Sequence, residues 1–222
     1  MEKIITDDGS ITFRSELVDE PYHTKSGARE ESFEKHARPL KVWEKERPVI
    51  YDICFGLGYN TAAAIDLILE KKPEEKITIY CFENDKEILK KIPEIKADFK
   101  SFPTIKKFIK NFLEKNETTF EKDNLKFIMH FGDVREEIKN AKEKADYIFF
   151  DPFSPKKQPE LWSEEFIKNT FEKSNPKAKL STYSCARIVR DNLKKAGFIV
   201  TDGPVIGRRA PSTIAVKVQT PQ

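Results

Sequence analysis

Short apolar runs alternate with helix-like segments along most of this chain, and that alternation limits the fold more than any other feature. Residues 49–54, 77–82, 125–129, 147–150 and 180–183 read as buried strands, and residues 61–69, 86–113, 134–141, 164–172 and 188–195 read as helices. Strands joined through helices run parallel, because the helix carries the chain back to the end of the sheet it left. An α/β fold with a mainly parallel sheet, covered on both faces, is therefore expected. After Gly197 the alternation stops: residues 198–200 and 213–218 leave no room for a helix between them and are expected to form an antiparallel pair at one edge. Residues 86–124, rich in Lys and Phe and broken at Pro93 and Pro103, depart furthest from a minimal repeat.

The opening residues admit two readings. Ile4-Ile5 and Ile11-Thr12-Phe13 flank Asp8-Gly9, a pair suited to the positive φ of a tight turn, so they form either a hairpin or an ordered arm. A polar helical stretch, residues 28–43, follows and breaks at Arg47-Pro48. The 222 residues suit one domain, with residues 1–47 as an N-terminal hairpin and helix extension and residues 48–222 as the core.

Composition excludes more than it assigns. The 40 Lys and Arg barely exceed the 37 Asp and Glu, so any basic binding surface must be local. Charged residues at 35%, with Gln confined to positions 158, 219 and 222, fit a heat-adapted protein. Cys54, Cys81 and Cys185 are widely spaced, as reduced thiols of a cytosolic protein would be. His23, His36 and His130 have no metal-ligand spacing, so no metal is expected. No run approaches the roughly 18 apolar residues of a membrane span, the N-terminus lacks a signal-peptide core, and a cytoplasmic location is expected.

Chemistry gathers where the strands end. After Asp52-Ile53-Cys54-Phe55, Gly56 and Gly58 let the backbone turn tightly and approach a ligand, as dinucleotide-binding proteins also do. The dinucleotide fingerprint needs a third glycine where this chain has Thr61. A ligand held by backbone amides near Leu57 to Asn60 fits better than a pyrophosphate. Glu83 ends the second strand, where a carboxylate accepts from both ribose hydroxyls; Asn84 follows, and Asp85 reads as a helix N-cap. Asp133, after Gly132, is either a plain N-cap or, with Val134, an adenine contact. The fourth strand ends in Asp151-Pro152-Phe153-Ser154-Pro155, at the sheet edge where open α/β folds bind ligands.

Five parallel strands closed by an antiparallel pair resemble the class I, Rossmann-like S-adenosylmethionine methyltransferases, whose sheet is mostly parallel and seven-stranded. The resemblance runs from about Val49 onward and implies S-adenosyl-L-methionine as cofactor. Asp52, Phe55, Gly56, Leu57, Gly58 and Asn60 would hold it, with Glu83 and Asn84 at the ribose and Asp133 and Val134 at the adenine. The loop at Asp151 resembles the Asp/Asn-Pro-Pro-Tyr/Phe motif of methyltransferases that alkylate amino nitrogens, with the second proline absent. That motif implies that Asp151 and a backbone carbonyl beside Pro152 accept hydrogen bonds from the target amine while Phe153 packs over it. Presenting an alkylamine that titrates near pH 10 in neutral form at pH 7 costs about 4 kcal/mol. Asp151 either takes that proton or orients the amine.

Outward from Asp151, DPFSPKKQPELW resembles the methyltransferase domain of MnmC, the bacterial enzyme that completes 5-methylaminomethyluridine at the tRNA wobble position. DDGSITFRSE, YHTKSGAREES, FGLGYN and STYSCARIVRDNLKKAGF fall in the family's order and extend the likeness over nearly the whole chain. It implies a tRNA (5-methylaminomethyl-2-thiouridylate)-methyltransferase acting on the exocyclic amine of 5-aminomethyl(-2-thio)uridine, and contacts from Tyr22, His23, Gly27 and Glu31 to the methionine end of the cofactor. MnmC proteins usually carry a fused flavin-dependent oxidase domain that frees the amine; none is found in these residues, so the partner is expected to be tRNA that already bears 5-aminomethyluridine. Lys156, Lys157, Arg187, Arg190, Arg208 and Arg209 are the candidate phosphate contacts. GRRAPSTIAV matches the family only through its glycine and basic pair. Two rivals stand beside this reading: an amine methyltransferase of the same fold acting on a small molecule or protein, and a non-catalytic RNA-binding protein, which would not need Asp151.

Overall fold

The computed structural model describes residues 1–207 and 209–218. The opening is a hairpin: β1 (Lys3–Ile5) pairs antiparallel with β2 (Ile11–Phe13). Asp8 organises the turn, its Oδ1 accepting from Ser10 N at 2.9 Å and from the hydroxyls of Ser10 and Thr6 at 2.6 and 2.7 Å. The helical segment that follows is not a plain α-helix. α1 (Ala28–Glu30) passes into a π-helix over Glu31–Ala37 and then into α2 (Arg38–Leu40), which stops at Lys41 in the left-handed region, φ 52°. The π segment buries the polar residues Glu31, Ser32, Lys35 and His36.

Among the described residues, eight strands form one sheet in the order β5-β6-β4-β3-β7-β8-β10-β9. They are β3 (Val49–Ile53), β4 (Ile77–Glu83), β5 (Thr119–Lys122), β6 (Leu125–Phe131), β7 (Ala145–Phe150), β8 (Ser174–Thr182), β9 (Phe198–Asp202) and β10 (Thr213–Lys217). β6, β4, β3, β7 and β8 run parallel, and β10 inserts antiparallel between β8 and β9. That is the expected arrangement with one strand added. β5 folds back antiparallel on β6 through a turn with Asp123 at φ 53°, so the count is eight rather than seven.

The single helix expected over residues 86–113 is divided into α4 (Lys86–Leu89), a 3-10 turn (Ile92–Glu94) and α5 (Phe102–Lys115), after α3 (Tyr59–Lys71). Pro93 and Pro103 each sit at the start of a new turn, where a missing N–H costs nothing. α6 (Val134–Asn140), α7 (Glu164–Glu172) and α8 (Arg187–Ala196) complete the set. Two apolar layers cover the sheet: one holds Ala63, Ile79 and Phe108, the other Tyr51, Ile138 and Phe166. No helix among the described residues is long and apolar enough to cross a membrane.

Candidate active site

Parallel strands bring their carboxyl ends to one edge, and the segments after β3, β4 and β7 wall a cavity of about 370 Å3 there. A strap from the N-terminal extension, residues 15–24, supplies Ser15, Tyr22 and His23 to the same wall. A smaller cavity of about 100 Å3 adjoins it, sharing Cys54, Glu83, Asn84 and Gln158.

The turn after β3 is tight: Cys54, Gly56 and Gly58 all have left-handed backbones, with φ 64°, 54° and 75°. A Cβ on Gly58 would stand 2.6 Å from Cζ of Phe55, so only glycine lets that ring fold back against the turn. Glu83 braces the turn from β4. Its Oε2 accepts from Gly56 N at 2.8 Å, and its Oε1 from Asn84 N at 2.9 Å and Asp85 N at 2.7 Å. Burial pushes the Glu83 pKa up against those three amides. Asp85 caps α4 through Oδ1, 2.8 Å from Glu87 N, while Oδ2 accepts from the Tyr22 hydroxyl at 2.7 Å. The Tyr22 ring also meets Phe153 edge-on at 4.9 Å, so one side chain joins the strap, α4 and the loop after β7.

Asp151 begins that loop. Its Oδ2 accepts from Asn60 Nδ2 at 3.0 Å and lies 3.7 Å from His36 Nε2, while His36 Nδ1 is 3.0 Å from Ser181 Oγ. Trp162 Nε1 donates to the Phe153 carbonyl at 2.8 Å, Phe153 N donates to Gln158 Oε1 at 3.1 Å, and Ser154 N and Oγ donate to Glu20 at 3.0 and 2.6 Å. Glu31 accepts from Thr24 N at 3.1 Å and pairs with the buried Lys35. Burial raises the Glu31 pKa, but Lys35 and His23 bring it below the usual range. Burial lowers the pKa of both His23 and His36 against the pull of Asp151.

The cavity therefore presents Glu31, Glu83, Asp85 and Asp151 beside imidazoles that favour neutrality. Asn60 also lines it, and its Oδ1 is buried without a hydrogen-bond partner among the described residues. An unmet acceptor among carboxylates suits a ligand that carries an ammonium and a sulfonium. The model of the S-adenosyl-L-methionine-dependent methyltransferase family matches residues 93–218. This chain belongs to that family.

The methyltransferase is similar over 96% of its length to an uncharacterized protein of Methanocaldococcus jannaschii, at 30% identity, and over 72% to the bifunctional MnmC protein of Campylobacter hominis, at 34%. It spans 58% of the first relative and 24% of the second. Its fold matches the crystal structure of MNMC2 from Aquifex aeolicus with a TM-score of 0.81 and 32% identity, covering 99% of this chain and 71% of that one. The fold is thus the class I, Rossmann-like one, the cofactor is S-adenosyl-L-methionine, and the relationship is to the MnmC methyltransferase domain.

In the methyltransferase, Tyr22, Glu31, Phe55, Gly56, Asn60, Glu83 and Asn84 line the larger cavity together with Asp151, Pro152 and Phe153, and Asp133 and Val134 line the smaller one. Asp52, Leu57 and Gly58 line neither. Asp52 is buried beneath the turn, where Thr61 Oγ1 donates to its Oδ2 at 2.7 Å and burial lifts its pKa to about 8. Asp133 is already engaged: it caps α6 by accepting from Arg135 N at 3.0 Å and from Arg135 Nε at 2.9 Å.

Lys156, Lys157, Arg187 and Arg209 are exposed, with Arg187 3.5 Å from Asp191. Arg190 is not a free surface charge. Its guanidinium reaches Thr213 Oγ1 at 3.0 Å, Ser212 O at 3.2 Å and Asp202 Oδ1 at 2.7 Å, tying α8 to the β9–β10 pair. Arg208 lies outside the described residues. The sequence reading did not anticipate His36, Ser181, Glu20 or Gln158 at the site. His36 and Ser181 are 145 residues apart; Ser181 opens the STYSCARIVRDNLKKAGF stretch, and a Lys-His pair within a helical stretch was the only trace of His36.

Proposed function

We propose that the methyltransferase transfers a methyl group to the exocyclic amine of 5-aminomethyl(-2-thio)uridine at the tRNA wobble position, giving the 5-methylaminomethyl form. The observation that carries this reading is Asp151 on the cavity wall, held by Asn60 and followed by Phe153. The names of the MnmC relatives, which refer to tRNA 5-methylaminomethyl-2-thiouridine biosynthesis, support it.

When bound, the cofactor supplies a methyl group activated on a sulfonium. The protein's task is then to place the acceptor in line and with its lone pair free. Tyr22, Glu31 and Asn60 would hold the methionine end, Glu83 and Asn84 the ribose, and Val134 the adenine face, with Asp133 sharing its carboxylate between the base and Arg135. Asp151 would accept an N–H of the amine and so aim its lone pair, Phe153 would cover the amine, and Pro152 would stiffen the loop. Because Tyr22 and His36 line the same wall as Asp151, residues 1–47 act with residues 48–222 as one functional unit in this reading. Lys156, Lys157, Arg187 and Arg209 would meet tRNA phosphates around the mouth.

The test is incubation with methyl-labelled S-adenosylmethionine and tRNA with or without 5-aminomethyluridine, followed by digestion and identification of the labelled nucleoside. Label on 5-methylaminomethyluridine, from the amine-bearing tRNA alone, is expected. Label on unmodified tRNA, or on neither, contradicts the reading.

A further inference from the structure

We propose that His36 takes the proton that the substrate ammonium must lose before its nitrogen can accept a methyl group; this rests on the amine reading above. In free solution an alkylamine titrates near pH 10, an imidazole near 6.5 and a carboxylate near 4, so an imidazole is the closer match to the amine; burial lowers the His36 pKa, and Asp151 and Glu31 pull it back up. Proton transfer is easiest to the closer match.

The geometry sets the ring on the cavity wall beside Asp151. His36 lines the cavity, and its Nε2 lies 3.7 Å from Asp151 Oδ2, beyond the reach of an N–H···O bond. Nδ1 and Ser181 Oγ are 3.0 Å apart and either can donate; the proposal requires the ring proton on Nδ1, given to that hydroxyl, with Nε2 unprotonated towards Asp151. Asn60 meanwhile donates to the same carboxylate oxygen at 3.0 Å, which fixes the Asp151 side chain beside the ring.

Four groups act on His36 from the elements packed around it: Asp151 from the end of β7, Glu31 and Lys35 from its own π-helix, and His23 from the strap. Burial, Lys35 and His23 favour the neutral ring that accepts a proton; Asp151 and Glu31 stabilise the imidazolium once formed. In the step itself the ammonium N–H bond breaks, its electron pair stays on nitrogen, and the proton passes to Nε2. The imidazolium later releases it to water, and Asp151 remains a carboxylate throughout.

Two measurements test this. The chain has three histidines, so nitrogen NMR of histidine-labelled protein can report the tautomer of each. His36 is expected in the Nδ1–H form, with a pKa that falls further in Asp151→Asn. In single-turnover transfer to amine-bearing tRNA, His36→Gln is expected to be slower by about a hundredfold at pH 7. The deficit should narrow steadily as pH rises and solvent deprotonates the amine, and Ser181→Ala, a gentler change to the packing, should show a smaller deficit with the same trend. An Nε2–H tautomer, or a deficit constant across pH in both variants, overturns the proposal. Wild-type protein that leaves the amine-bearing tRNA unlabelled at every pH overturns the tRNA reading and this proposal together, whereas wild-type transfer with a pH-independent deficit overturns this proposal alone.

Discussion

Asn60 Nδ2 donates to Asp151 Oδ2 at 3.0 Å, joining the first turn of α3 to the end of β7 across 91 residues of sequence. A hydrogen bond to a charged group contributes about 1.5–3 kcal/mol. Asn60→Ala should therefore slow single-turnover methyl transfer by about ten- to a hundredfold. It also removes the buried Oδ1 that lacks a partner among the described residues, so calorimetric affinity for S-adenosylmethionine should weaken as well. Unchanged rate and affinity would remove Asn60 from the site.

The Tyr22 hydroxyl bonds Asp85, and its ring packs on Phe153. Tyr22→Phe keeps the ring and loses only the hydrogen bond, about 1 kcal/mol, so cofactor affinity should fall about fivefold. Asp85 still caps α4 through its other oxygen, and the melting temperature should hardly move. Calorimetry and a thermal melt on the same sample check both halves, and affinity equal to wild type would detach the strap from cofactor binding.

Asp52 gives stability a pH dependence of defined sign. Burial raises its pKa to about 8 in the native protein, against about 4 in the unfolded chain. Between those values the native state keeps a proton that the unfolded state releases, so stability from this group is complete below about pH 4 and is lost as pH rises to about 8. Asp52→Asn cannot titrate. Relative to that variant, the wild-type melting temperature should fall between pH 5 and pH 8; parallel profiles would show that Asp52 does not carry the shift.

The parallel core was legible because each strand is a compact apolar run between helical patterns, a local signal that survives without tertiary knowledge. β5 was not, since Thr119–Lys122 puts Glu121 and Lys122 on a half-exposed edge and lacks that signal. A π-helix changes hydrogen bonding without changing composition, so residues 28–43 read as an ordinary helix and the buried faces of Lys35 and His36 stayed hidden. At the site, Glu83 and Asp151 were readable because they end strands, a position that itself predicts ligand contact. Arg190 was read as a candidate phosphate contact, and its bonds to Asp202, Ser212 and Thr213 were not legible because those partners arrive from a segment that only folding brings near.

Lys156 and Lys157 follow the Asp151 loop and are exposed. If they meet phosphates, replacing both by Ala weakens binding to every tRNA alike and reduces the slope of log affinity against log salt by about one to two. Fluorescence titrations over about 50–200 mM salt measure it. A slope equal to wild type would place the phosphate contacts elsewhere.

The most direct measurement pairs cofactor binding with methyl transfer in Asp151→Ala. The account predicts that the variant binds S-adenosylmethionine with affinity close to wild type, because Glu83, Asn84 and the Gly56 turn are untouched, yet puts no label on amine-bearing tRNA that wild type methylates. Transfer at the wild-type rate with cofactor bound would contradict it.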